Sequence, residues 1–249
     1  MTETLTPKTN YADLTHFTDK LLWLYKYKQW ELGLTDDDHG IRFEAYEVLG
    51  WTEEAFKDSN ELVRLEAYKV LGWTEEAKKD EHWEVRLNAY KALGFTDEAK
   101  KDQNDYIRKE AYASLGWTEE AKNDEYDAIR LEAYKALGFT EEAFKDDYWR
   151  VRKEGYEALG WTEEAKKDEN NRIRLEAHRA LGFTDQAKKD TCCYVRLNAY
   201  KVLGFTEEAF RDEDWKIRSE AYRVLGFTEE ALKDTDAGII NDAKRWFEL

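Results

Sequence analysis

The dipeptide Leu-Gly returns at a fixed interval, at Leu49, Leu71, Leu93, Leu115, Leu137, Leu159, Leu181, Leu203 and Leu225, each leucine followed by glycine. No insertion breaks the spacing. A fixed period of about 22 residues belongs to supersecondary units that cannot bury an apolar face alone and bury it against their neighbours. The chain is therefore a repeat array before it is anything else.

One unit, Trp51 to Gly72, runs WTEEAFKDSNELVRLEAYKVLG, and the next, Trp73 to Gly94, runs WTEEAKKDEHWEVRLNAYKALG. Asp58 as N-cap and Gly72 after the last helical residue bracket a helix of roughly 13 residues, about 20 Å long. Helical spacing puts Val63, Ala67, Val70 and Leu71 on its core face, with Arg64 and Tyr68 on the flank. Glu61, Leu62, Leu65 and Lys69 fall on the opposite side. The remaining piece, Trp73 to Lys79, has a threonine to cap it and Glu-Glu in its first turn, where the helix dipole favours acid. It reads as a helix of one to two turns. A long helix and a short one, repeated without loops, predict an all-α, right-handed α-solenoid (a superhelix) with terminal caps.

The string Asp58-SNEL-Val63-Arg64-LE-Ala67-YKV-Leu71-Gly72, kept in the other copies except that Gly155 replaces the alanine, resembles the second helix of HEAT repeats, especially those of phycobilisome-lyase type. The short Thr-x-Glu segment is similar to the leucine-rich repeat variant, which alternates an α-helix with a 3₁₀ element. The resemblance spans roughly Thr35 to Asp234, with a period shorter than either family's. It implies the fold; function lies in the individual surface positions.

Residues 1–34 are expected to form an N-terminal cap, with a frayed Met1–Asn10 and a single helix from about Tyr11 to Leu32 that does not follow the repeat. Residues 35–226 form the array. Residues 227–249 are a degenerate copy in which Ile239 takes the valine place, Ile240 replaces the arginine, and Ala243 and Phe247 keep the alanine and leucine places.

The net charge of −16 argues against a protein that coats nucleic acid non-specifically, although Trp161–Gly204 holds seven acids and nine bases. No apolar run is long enough to span a membrane, and no secretory signal is evident. With Cys192 and Cys193 adjacent and no other cysteine, a reducing cytoplasm is expected.

Two ladders repeat with the frame. Arg42, Arg64, Arg86, Arg108, Arg130, Arg152, Arg174, Arg196 and Arg218 each follow a core Val or Ile and an Asp six residues earlier. They read as ion pairs between successive Asp and Arg residues. Tyr46, Tyr68, Tyr90, Tyr112, Tyr134, Tyr156, Tyr200 and Tyr222, with His178 as the exception, read as packing, their hydroxyls reaching polar partners. The Glu-Glu pairs are solvated helix starts, since a catalytic pair is unique and not copied along a rod. No Gly-rich phosphate loop, nucleophile set or metal-ligand spacing appears, so no enzyme, metal or cofactor is expected.

The informative positions are those the frame leaves variable: SNEL, EHWE, QNDY, EYDA, DYWR, ENNR, TCCY and EDWK, between the Asp and the Val/Ile-Arg. A fixed frame with a few varied exposed positions is built like a binding surface. Its expected aromatic anchors are Trp83, Trp149 and Trp215, one in every third repeat, with Tyr106, Tyr126, Tyr148 and Tyr194 between them. Expected basic members are Lys69, Lys91, Lys135, Arg179, Lys201 and Arg223, with Arg150, Arg172, Lys109, Lys153 and Lys216 on the same side. The expectation is a non-catalytic scaffold that holds an extended protein or peptide along its concave face. Two alternatives are nucleic-acid binding through a mildly positive strip and an acidic decoy that mimics nucleic acid. The sequence leaves the partner and the oligomeric state open.

Overall fold

The computed structural model describes residues 10–248. They form an α-solenoid of eleven α-helices, each preceded by a short 3₁₀ helix, and no strand occurs among the described residues. The α-helices are α1 (Phe17–Tyr27), α2 (His39–Leu49), α3 (Glu61–Leu71), α4 (Trp83–Leu93), α5 (Asp105–Leu115), α6 (Asp127–Leu137), α7 (Trp149–Leu159), α8 (Asn171–Leu181), α9 (Cys193–Leu203), α10 (Trp215–Leu225) and α11 (Ala237–Trp246). The chain divides into two compact units, Met1–Thr118 and Glu119–Leu249. The first carries α1–α5 and the second α6–α11.

The long helix is capped later than the sequence suggests. Asn60, not Asp58, is the N-cap of α3, its side chain accepting from Leu62 N–H. Asp58 is instead the hinge between the 3₁₀ helix Glu53–Lys57 and α3: its Oδ1 accepts the Asn60 N–H at 2.8 Å. Thr52 does not cap with its side chain either; its carbonyl accepts the Ala55 N–H at 3.0 Å and closes the 3₁₀ turn.

Each seam is a small cell. Tyr46 from α2, Ala55 from the 3₁₀ helix, and Val63 and Ala67 from α3 bury one another, and Tyr156, Ala165, Ile173 and Ala177 repeat this in the second unit. Two alanines in each of these cells let the short and long helices approach closely, leaving one β-branched residue and one tyrosine to fill the space. The expected core face is only half right. Val63 and Ala67 are fully buried, yet Val70 is 54 % and Leu71 42 % exposed, and Leu65 on the supposed outer side is buried. Lengths explain this. A five-residue 3₁₀ helix covers about 10 Å, whereas an eleven-residue α-helix runs about 16 Å, so the last turn projects past its cover. The Leu of every Leu-Gly pair is exposed in this way.

The arginine ladder is structural. Arg64 donates from Nε and Nη2 to the two Asp80 oxygens at 2.8 and 2.7 Å, and from Nη1 to the Asp58 carbonyl at 2.7 Å. Arg152 and Arg174 do the same to Asp168 and Asp190. Each of these arginines thus ties its own repeat's backbone to the next repeat's carboxylate. Burial alone would raise the Asp190 carboxyl, but hydrogen bonds from Arg174 and the Cys192 N–H outweigh it and hold the group below the usual carboxylate range.

The tyrosine ladder is a row of aromatic sandwiches. Tyr68 stacks between Phe56 (4.2 Å) and Trp73 (5.4 Å), and Tyr156 between Phe144 (4.2 Å) and Trp161 (5.6 Å). Elsewhere a lysine replaces the phenylalanine: Lys188 lies 5.3 Å from the Tyr200 centroid, with Phe205 on the other face at 5.5 Å. His178 takes the same place, stacked 5.4 Å from Phe183, but its buried Nδ1 has no hydrogen-bond partner. Burial, with help from Lys166, pushes its pKa down. A histidine kept neutral in the fold binds fewer protons than in the unfolded chain, so its contribution is full above about pH 6.5 and is lost as pH falls through the folded pKa. His178→Tyr is therefore expected to raise the melting temperature, by a margin that widens between pH 7 and pH 5 in scanning calorimetry. An unchanged margin across that range would count against it.

The N-terminal cap is not a single helix, and it does follow the repeat. Tyr11–Asp13, α1 and Trp30–Thr35 form 3₁₀, α and 3₁₀ elements, and α1 and α2 begin one repeat period apart. Lys20 stands in the arginine place and reaches Asp36 at 2.8 Å, while the Tyr11 hydroxyl donates to the other Asp36 oxygen at 2.6 Å. The expected frayed segment lies outside the described residues apart from Asn10, whose side chain accepts from Ala12 N–H. At the other end α11 keeps the register, with Ile239 and Ala243 buried as expected.

Candidate interaction surface

Because the long helix begins at Glu61 and its equivalents, the four variable positions occupy the turn before the N-cap, the N-cap, and the first two helical residues. They are the first-turn face of each helix, not its middle. Trp83, Trp149 and Trp215 are the first residues of α4, α7 and α10. Trp83 and Trp215 are 39 % and 49 % exposed; Trp149 is half-buried.

In the first unit Trp83 meets Tyr106 edge-on at 6.4 Å, and the Lys91 ammonium lies 5.8 Å from the Tyr106 ring. Three repeats are thus not needed to assemble a patch: two adjacent helices suffice. In the second unit the Trp149 ring has the Arg150 guanidinium at 5.6 Å and that of Arg172, from the next helix, at 5.2 Å. Lys216 lies 5.8 Å from the Trp215 ring. Tyr194 is 60 % exposed on the first turn of α9, whereas Tyr126 and Tyr148 are N-cap residues, one row back. Between α9 and α10 a groove of about 270 Å³ is lined by Leu197, Lys201, Trp215 and Arg223, among others.

The basic row at the other end of the helices is not continuously positive. Lys69 pairs with Glu66 (3.1 Å), Lys135 with Glu132 and Glu154 (3.5 and 3.4 Å), Arg179 with Glu176 (2.7 Å), and Arg223 with Glu220 and Asp242 (3.9 and 3.8 Å). Lys153 is likewise paired with Glu157. Lys91 and Lys201 have no acidic partner among the described residues. They follow Asn88 and Asn198, which replace the glutamate three residues earlier and donate to backbone carbonyls of their own helices. These lysines are at the surface as expected, but the i−3 residue, which the sequence reading overlooks, decides whether their charge is neutralised.

Cys192 accepts a hydrogen bond from the Asn171 side chain at 3.2 Å, and burial with Asp214 nearby pushes the Cys193 thiol up, away from the reactive thiolate. Among the described residues no group of three or more His, Cys, Asp or Glu could hold a metal ion, and no helix is long and apolar enough to cross a membrane. No family model, no curated protein and no solved structure matches the chain.

Proposed function

We propose that the chain is a non-catalytic scaffold that binds an extended protein or peptide across the first turns of successive helices. The observation that carries this reading is the contrast within each repeat. The ladders, seams and glycines recur because the fold consumes them, while the first-turn positions vary and still present half-exposed tryptophan and tyrosine. Such residues supply large contact area at low entropic cost and dominate binding energies. In the first unit we take Trp83 as the anchor, with Tyr106 flanking it and Lys91 as the unpaired cation beside it; in the second we take Trp149 and Trp215 as anchors, with Tyr126, Tyr148 and Tyr194 as flanking contacts and Arg150, Arg172 and Lys201 as unpaired cations. Two free thiols suit a reducing cytoplasm. Nucleic-acid binding is the weaker reading, since four of the six rail cations carry an acidic partner.

The test is capture from lysate with the intact chain and with Trp83→Ala/Trp149→Ala/Trp215→Ala, each with and without nuclease. A protein retained after nuclease and lost with the triple variant, at unchanged helical circular dichroism, is the expected result. Equal capture by both chains would remove the anchors, and loss on nuclease treatment would favour nucleic acid.

A further inference from the structure

Resting on that reading, we infer that the first turns of α7–α10 take an acidic extended segment of the partner. The four preceding helices, α3–α6, each hold an acid in the first turn: Glu61, Glu84, Asp105 and Asp127. None of α7–α10 holds one. Their second helical residues are Arg150, Arg172, Tyr194 and Lys216. A cation at that place opposes the helix dipole, so helix formation does not favour it.

Nor do ion pairs explain these residues. Arg150, Arg172 and Lys216 have no acidic partner among the described residues and lie instead against Trp149 and Trp215. A guanidinium held against an indole keeps its charge and its outward N–H groups, ready to grip a carboxylate. Lys201 adds a fourth unpartnered cation in the α9–α10 groove. In a chain of net charge −16 this is a local reversal of sign on an aromatic floor.

The shape of the strip favours a peptide over a nucleic acid. Just before the N-caps stand the exposed carboxylates Asp147, Glu169 and Glu213, the last two drawn towards Arg152 and Arg196 at 2.9 and 3.0 Å, while the half-buried N-cap Asp214 is taken up by the Lys216 N–H at 2.9 Å. An extended peptide touches the narrow cationic row and leaves the acids alone, whereas a phosphate at every nucleotide brings charge against that border. Three helix steps of about 8–10 Å make a strip of about 24–30 Å, the reach of about seven to nine extended residues.

The experiment is fluorescence anisotropy on the full chain with a labelled peptide of about ten residues alternating glutamate and leucine. Its Gln-Leu and Lys-Leu counterparts and an oligothymidylate of similar length serve as comparisons. The glutamate peptide is expected to bind, to weaken about tenfold between roughly 50 and 300 mM salt, and to exceed the glutamine peptide about tenfold. Arg150→Glu/Arg172→Glu/Lys216→Glu should lose at least about tenfold in affinity, while its unfolding midpoint stays level or rises because acid now suits the dipole. That midpoint excludes misfolding as the cause. Equal binding of the glutamate and glutamine peptides, no effect of the charge reversal, no binding of the glutamate peptide at millimolar concentration, or tighter oligothymidylate binding each overturns the inference. If both neutral and acidic peptides bind and Trp149→Ala/Trp215→Ala abolishes both, the anchor reading survives and only the acidic preference falls. If lysate capture is indifferent to the tryptophans, the anchor reading itself falls.

Discussion

Arg174→Ala is expected to destabilise the second unit by about 3–5 kcal/mol, the cost of stranding one member of a buried ion pair. The side chain holds Asp190 through Nε and Nη2, both at 2.8 Å, and the carbonyls of Asp168 and Glu169 through Nη1 at 2.8 and 2.9 Å. Removing it leaves the Asp190 carboxylate, only 9 % exposed, without a counter-charge. It also leaves the Asp168 carbonyl short of its donor. Arg174→Lys should recover only part of the loss, because an ammonium cannot reach both carboxylate oxygens and the backbone together. Urea unfolding followed by circular dichroism measures both; a loss below about 1 kcal/mol for the alanine variant would place the ladder among weak surface pairs.

The same ladder sets the response to acid. Asp58, Asp190 and Asp234 all have carboxyls held low: burial opposes this at Asp58 and Asp190, and the paired arginine leads at Asp234. A carboxyl with a depressed folded pKa binds fewer protons folded than unfolded. Its stabilisation is present above the unfolded value of about pH 3.9 and is lost as pH falls through the folded pKa. Melting temperature should therefore hold from neutrality to about pH 5, His178 aside, and fall steeply below about pH 4. In Arg174→Ala the fall should be shallower.

The sequence makes the ladder legible as a pairing of Asp with Arg but leaves its direction ambiguous. Within the repeat each arginine lies six positions after one aspartate and sixteen before the next. Both distances suit an ion pair. The structure uses both, giving the near aspartate's carbonyl and the far aspartate's carboxylate to the same guanidinium. That choice also explains the misplaced helix start. Asp58 has the composition of an N-cap, but its carboxylate is already engaged by Arg42 and the Asn60 N–H. The cap passes to Asn60, and the variable residues become first-turn residues.

Periodicity likewise predicts Val70 and Leu71 in the core, because a helical wheel carries no information about how long the covering element is. The cap register is hidden for another reason: Lys20 and Leu24 replace the arginine and tyrosine by which a repeat is recognised. The spacing of Lys20 and Asp36, the same sixteen positions as in the ladder, is the available signal.

Gly94→Ala should cost about 1–3 kcal/mol although the new methyl group touches nothing. Gly94 closes α4 at φ 97° and ψ 144°, its N–H donating to the Tyr90 carbonyl at 2.9 Å, and beyond its own chain neighbours no atom lies within 4 Å of where a Cβ would stand. The penalty is therefore purely torsional: a Cβ is disfavoured there by its own backbone. Asparagine tolerates the left-handed helical region, where ψ is small, but has no comparable tolerance at the extended ψ that Gly94 adopts. Gly94→Asn should thus be no better than Gly94→Ala. The chain itself contains the other exit. At Lys28, one repeat period before Gly50, the backbone ends α1 at φ 56° and ψ 37°, and the next 3₁₀ helix then starts at Trp30. After α2 the 3₁₀ helix starts at Glu53, one position later in the period than Trp30. A repeat that relaxed into the left-handed exit would therefore shift the start of its short helix, and where the chain takes that exit the alanine place holds Gly33, whose added Cβ would lie 3.0 Å from the Ala45 Cβ. Urea midpoints of the two variants decide the matter, with Gly94→Asn near wild type showing that the array absorbs the shift and Gly94→Asn matching Gly94→Ala showing that it does not.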